Sequence, residues 1–189
     1  DILSGSTIAF LDFTVESKLV VAVLLGAFAV IFGARQLDPM ERHEGMIAEI
    51  RKAGARIRQI PDGDVAAAVM TSWPDAGVDV LLGIGGTPEG VIAACALRAM
   101  GGEIQGKLYA RDESELQRGR DAGYNFDRVL TMDDLVSSED VFFATTGITD
   151  GELLKGVRYY GDHIVTESLV VRGLTGTIRR INAIHSTEK

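Results

Sequence analysis

The stretch VDVLLGIGGTPEGVIAACALRAMGG, Val78 to Gly102, decides how this chain folds. Its first eight residues, VDVLLGIG (78–85), form a short apolar run, which predicts a strand buried on both faces. Gly83, Gly85 and Gly86 then permit a tight turn, and Pro88 suits the first turn of a helix. That helix continues through VIAACALRAM and stops at Gly101-Gly102. Strand, glycines, then helix is the unit of an α/β protein. It also points backbone N–H groups at whatever anion lies beyond the strand end.

The same alternation extends outward from this unit. Pro39 to Ala53 predicts a helix with Met46, Ile47 and Ile50 on one face, closed by Gly54. ARIRQI (55–60) predicts a strand, and DGDVAAAVM (62–70) a turn and a helix with an acidic first turn. Downstream, EIQGKLYA (103–110) predicts a strand, DESELQRGRDAG (112–123) a polar helix, and DRVLTMDDLV (127–136) a short strand and helical turn. DVFFATTG (140–147) predicts another buried strand. The tail, Lys155 to His185, alternates in three segments with turns at 160–162 and 173–176, which predicts an antiparallel meander. The expected architecture is a mixed α/β sheet layered with helices, parallel first and antiparallel at the end.

The first 36 residues read differently. Leu19 to Ala34 carry no charge and are flanked by Lys18 and Arg35. A bilayer span needs about 20 apolar residues, and extending this run backward adds Glu16 and Asp12. Two readings stand. One is an element buried in the fold, a helix or a strand–helix pair. The other is a membrane helix whose flanking cations snorkel. The division expected is an apolar helical segment over 1–36 and an α/β domain over 37–189.

Composition bounds the function. The chain has 189 residues, a net charge of -8 and one cysteine. The acidic balance argues against a broad nucleic-acid surface. Cys95 cannot form an internal disulfide, and its apolar helical setting predicts a structural thiol. The 22 glycines are about 12% of the chain against a usual ~7%, so tight turns and close backbone approaches are numerous.

The glycine loop excludes two familiar phosphate motifs. Gly83 and Gly85 begin a dinucleotide fingerprint, but Pro88 occupies its third glycine position, and no Gly-Lys-Ser/Thr follows. What remains is Glu89 in the first turn of a helix. It either satisfies the helix dipole or holds a metal beside phosphate-binding amides. Asp62-Gly63-Asp64 likewise reads as a turn with a cap, or as a second acidic loop converging on the first. Arg42 offers a phosphate partner, with a solvated helix charge as its alternative. His163 and His185 lack neighbours at metal spacing and are expected at the surface. Trp73-Pro74 reads as a loop plug. Thr146 to Gly151 forms another strand-to-glycine loop, either a further wall of the same cleft or a helix cap at Thr149.

Four segments in order, IPDGDVAAAV (60–69), GVDVLLGIGGTPEGVIAACALRAMGG (77–102), VFFATTGITDGELLKGVRYY (141–160) and TESLVVRGLTGTIRRINAIH (166–185), resemble the C-terminal half of class II fructose-1,6-bisphosphatase, from about Arg42 to His185. The resemblance implies the lithium-sensitive sugar-phosphatase fold, a layered α/β/α/β arrangement. It implies hydrolysis of the 1-phosphate of fructose 1,6-bisphosphate with Mn²⁺ or Mg²⁺, in gluconeogenesis and glycerol metabolism. It further implies Glu89 as a metal ligand, with Arg42, Asp62, Gly63, Asp64 and Gly86 as substrate contacts. A homo-oligomer in the cytoplasm is expected; anchoring to a membrane through 19–34 is the alternative.

Two departures bear on activity. Where the family reads basic-Pro-Arg, this chain reads Met40-Glu41-Arg42. The Asp-Pro-x-Asp-Gly-Thr type motif of the family's N-terminal half, with its paired metal-binding carboxylates, has no match here, so catalysis by this chain alone is not expected. The alternative is a non-catalytic sugar-phosphate-binding module or a membrane-tethered remnant lacking the metal-binding half. Residues 6–46 resemble a membrane helix and following loop of sodium/solute symporter-like sensor kinases.

Overall fold

The computed structural model describes residues 7–10, 28–32, 39–60 and 63–187. The elements are β1 (Thr7–Phe10), β2 (Phe28–Phe32), α1 (Pro39–Lys52), β3 (Arg56–Ile60), α2 (Asp64–Thr71), β4 (Val80–Gly86), α3 (Thr87–Met100), β5 (Gln105–Tyr109), α4 (Glu113–Asp121), β6 (Leu130–Thr131) and α5 (Met132–Leu135). They continue with β7 (Phe142–Thr146), β8 (Arg158–Tyr159), β9 (His163–Arg172), a 3₁₀ turn (Gly173–Thr175) and β10 (Thr177–Ser186). The first sheet has the order β3-β2-β4-β1-β5-β6 and the second β10-β9-β7, with β8 also on β9. β2 runs parallel to β3 and β4, whereas β1 is antiparallel to β4 and β5. The second sheet is antiparallel throughout. The chain is therefore a mixed α/β protein, as the alternation predicts.

Packing sorts these elements into layers. In β4, Leu82 packs with Ile47 and Ile50 of α1, while Leu81 packs against the clusters built on α2 and α3. Successive side chains of a strand point to opposite faces, so α1 lies on one face of the sheet and α2 and α3 on the other. The far side of α2 and α3 meets the second sheet, where Val69, Ala96 and Ala99 join Phe143, Leu169 and Val171. α3 lies between the two sheets, and its exposed side carries Val91 and Ile92. That position explains why α3 buries Ala93, Ala94, Ala96, Leu97 and Ala99, small residues that let both layers approach. Cys95 is half-buried in this packing, against the cluster around Ala94 and Met132.

Three expectations are corrected. Phe28–Phe32 is a strand paired with both β3 and β4, so Leu19 to Ala34 is not one continuous helix. Thr7–Phe10 is likewise a strand, between β4 and β5, within the segment expected to be helical. The physical reason is that a run apolar on every side suits an interior strand as well as a helix, and the open place between β3 and β4 decides it. Leu19 to Ala27 lie outside the described residues. Among the described residues, no helix is long and apolar enough to cross a membrane. Finally, β7 is not buried on both faces. It borders the second sheet, with Phe143 buried at 6% and Phe142 exposed at 66%.

Candidate functional site

Topology brings the starts of three helices to one edge of the first sheet. β2, β3 and β4 are parallel, and Phe32 pairs with Ile60 on one side and with Gly83 on the other. Ile60, the last residue of β3, is therefore level with Gly83 across β2, and β4 runs three residues further, to Gly86. The three helices that follow these strands start at this edge: α1, whose first turn contains Arg42, α2 at Asp64 and α3 at Thr87. Such an edge is where an open α/β sheet places ligands. Asp62 and the Arg42 side chain lie outside the described residues.

Gly63 caps α2 with φ +84°, a left-handed conformation that a side chain would strain. This backbone turn delivers Asp64 into the first turn, where its Oδ1 accepts the Val65 N–H at 2.9 Å. The Asp64 carboxyl is held above its ordinary range, first by burial and further by the charge of Glu89. Glu89, 25 positions further along the sequence, thus acts on Asp64 across the sheet edge. The Glu89 carboxylate itself folds back over Gly86. A Cβ at Gly86 would collide with Glu89 Oε2 and lie 3.0 Å from its Cδ.

His43 is a feature that sequence reading passed over in favour of Arg42. It is 1% exposed, and its Nε2 accepts the Ile84 N–H at 3.1 Å. That nitrogen must be unprotonated to accept. The bond fixes α1 onto β4 at the base of the glycine loop. The signal was present in the sequence: His43, Ile47 and Ile50 share one helical face.

A second feature opens beside Gly63. A cleft of about 470 Å³ has an apolar floor including Val69, Phe143 and Leu154, and its rim carries Thr145, Thr149 and Asp150. No helix follows Thr149, so the Thr146–Gly151 segment forms a wall of this cleft rather than a cap. Gly63 borders the cleft; Gly86 and Glu89 do not. Arg58 of β3 ion-pairs with Glu152, joining the first sheet to that wall. Trp73 packs on the adjoining core, with the Arg180 guanidinium 5.1 Å above its ring. His163 is half-buried and bonded to Asp162, and exposed His185 bonds Thr166.

The wall is internally braced. Asp150 Oδ1 accepts the Gly156 N–H at 2.9 Å. That bond, aided by Arg158 and Lys155, holds the Asp150 carboxyl below its ordinary range. A carboxylate depressed in the folded state contributes stability above the ordinary carboxylate range, and loses it as pH falls through its own titration. The Gly156 amide resonance is expected to titrate with a midpoint below the ordinary aspartate value. An Asp150→Ala chain should lose that transition; a midpoint at or above the ordinary value would contradict the bond.

The bacterial, glpX-encoded fructose-1,6-bisphosphatase family model matches residues 37–185. Fructose-1,6-bisphosphatase 1 class 2 of Escherichia coli K12 is 44% identical over 161 residues, covering 78% of this chain and 48% of that protein. The class 2 enzymes of Escherichia coli O6:H1 and Shigella flexneri match to the same extent. The chain thus spans about half the length of these curated relatives. With the family match covering both acidic loops, the cleft wall and the terminal meander, the chain belongs to the class II fructose-1,6-bisphosphatase family.

Proposed function

We propose that this chain forms the sugar-phosphate-binding half of a metal-dependent fructose-1,6-bisphosphatase site, built on the C-terminal half of the sugar-phosphatase fold. The observation that supports this is the convergence of Asp64 and Glu89, from two glycine loops, at the edge where three helices begin. Backbone N–H groups of the Gly86 loop and the first turn of α3 face the phosphate. Gly63 and Asp64 meet the sugar hydroxyls, and Asp62 and Arg42 are further substrate contacts in this reading. Thr145 and Thr149 meet the same hydroxyls from the opposite wall.

Glu89 is one ligand of the Mn²⁺ or Mg²⁺ ion in this reading. Such an ion takes about six oxygens. Among the described residues, no three His, Cys, Asp or Glu side chains gather where they could hold a metal. The described residues do not make a complete centre, and no hydrolytic step is assigned to them alone. The same observation favours the second reading, a module that binds sugar phosphate without turning it over.

The two readings separate on one assay. Phosphate release from fructose 1,6-bisphosphate with Mn²⁺, compared with Glu89→Gln, reports turnover. Calorimetric titration with the same ligand reports binding. Release above the Glu89→Gln level supports the bisphosphatase; binding without release supports the module. Neither binding nor release would reject both.

A further inference from the structure

The inward face of β9 reads Glu167, Leu169, Val171, and all three are buried. A carboxylate in that row is costly, and an apolar residue of similar volume is the cheaper way to fill it. Glu167 is instead fully engaged. Its backbone carbonyl accepts the Gly147 N–H at 3.0 Å, and its Oε2 accepts the Lys155 N–H at 2.6 Å. One residue therefore ties down both ends of the segment from Gly147 to Gly156, the wall of the cleft. Its Oε1 lies 3.4 Å from Arg180 Nε. Arg180 Nη2 in turn donates to the Leu153 carbonyl at 2.7 Å, a third attachment for the same loop.

We infer that Glu167 is a positioning residue: with Arg180 it holds the Gly147–Gly156 loop in the form that faces Gly63. The inference rests on the proposed function for its substrate side, since it is that reading which sets sugar hydroxyls against Thr149. The loop's own shape does not rest on it. Charge-assisted hydrogen bonds to backbone N–H groups are the strong ones, which accounts for a carboxylate at this position.

The test uses the whole chain. Hydrogen–deuterium exchange over residues 147–157 reads the loop, and calorimetry with fructose 1,6-bisphosphate reads the site. Glu167→Leu is expected to speed loop exchange about tenfold or more, leave α3 protected, and weaken binding about tenfold. Glu167→Gln keeps an acceptor for Lys155 and should recover both readouts to within about fivefold. Unchanged loop exchange in Glu167→Leu would overturn the inference, as would a loosened loop with undiminished binding. Should Glu167→Leu not fold, Arg180→Met removes the ion pair and the bond to Leu153 from the other side, and unchanged loop exchange there overturns the inference equally. Wild-type chain that binds no bisphosphate would reject the proposed function and the substrate side of this inference, while the exchange comparison still decides whether Glu167 holds the loop.

Discussion

Replacing Leu169 with alanine is expected to destabilise the chain by about 3 kcal/mol, within the usual range for a buried leucine. Leu169 is wholly buried at the centre of β9. It packs among Val69 of α2, Ala96 and Ala99 of α3, and Phe143 and Val171 of its own sheet. These are the contacts that hold the second sheet onto the helices. Alanine removes the apolar burial and leaves a cavity that two sheets and a helix layer cannot all close. Urea unfolding measures the effect. Ile184→Ala, at a side chain 75% exposed on the edge strand β10, is the control and should change stability by about 0.5 kcal/mol or less. Equal effects at the two positions would show that the second sheet is not part of the core.

Gly156→Ala is expected to destabilise the chain by about 2–3 kcal/mol. A Cβ there would lie 2.6 Å from the Thr149 carbonyl carbon and 2.7 Å from the Asp150 nitrogen, so only backbone movement relieves it. That movement breaks the Gly156–Asp150 bond and releases the cleft wall. Gly86→Ala makes an instructive contrast. Gly86 has φ -70° and ψ 146°, which any residue adopts, and the Cβ meets only the mobile end of Glu89. The fold should survive within about 1 kcal/mol, the ordinary loss at a helix cap. The Glu89 carboxylate, however, must leave its position over Gly86. Thermal denaturation and Mn²⁺ titration together distinguish the cases. A stable Gly86→Ala chain that titrates with Mn²⁺ like wild type would reject Glu89 as a ligand in its present pose.

The site was legible in parts. Glu89 after a glycine turn and Asp64 after Gly63 stand out locally, because turn glycines and helix-start acids leave short-range signals. Their convergence was only an expectation, since nothing in the sequence fixes where β3 and β4 end relative to each other. Glu167 carried no signal. It sits in TESLVVR, where a strand's alternation reads it simply as one more residue of a face. Its worth comes from two N–H groups and an arginine supplied by other segments.

By itself the sequence determined the succession of elements from Pro39 to Ser186, the glycine turns and the family. Each of these is written in periodicity, turn chemistry or motif, all local in the chain. Only the tertiary structure decided that Phe28–Phe32 completes the sheet as a strand between β3 and β4. It likewise decided that His43 props the glycine loop and that Glu167 closes both ends of the cleft wall. An apolar run does not encode which face it will meet, and a buried polar atom does not encode its partner. Both are settled by segments remote in sequence that packing brings together.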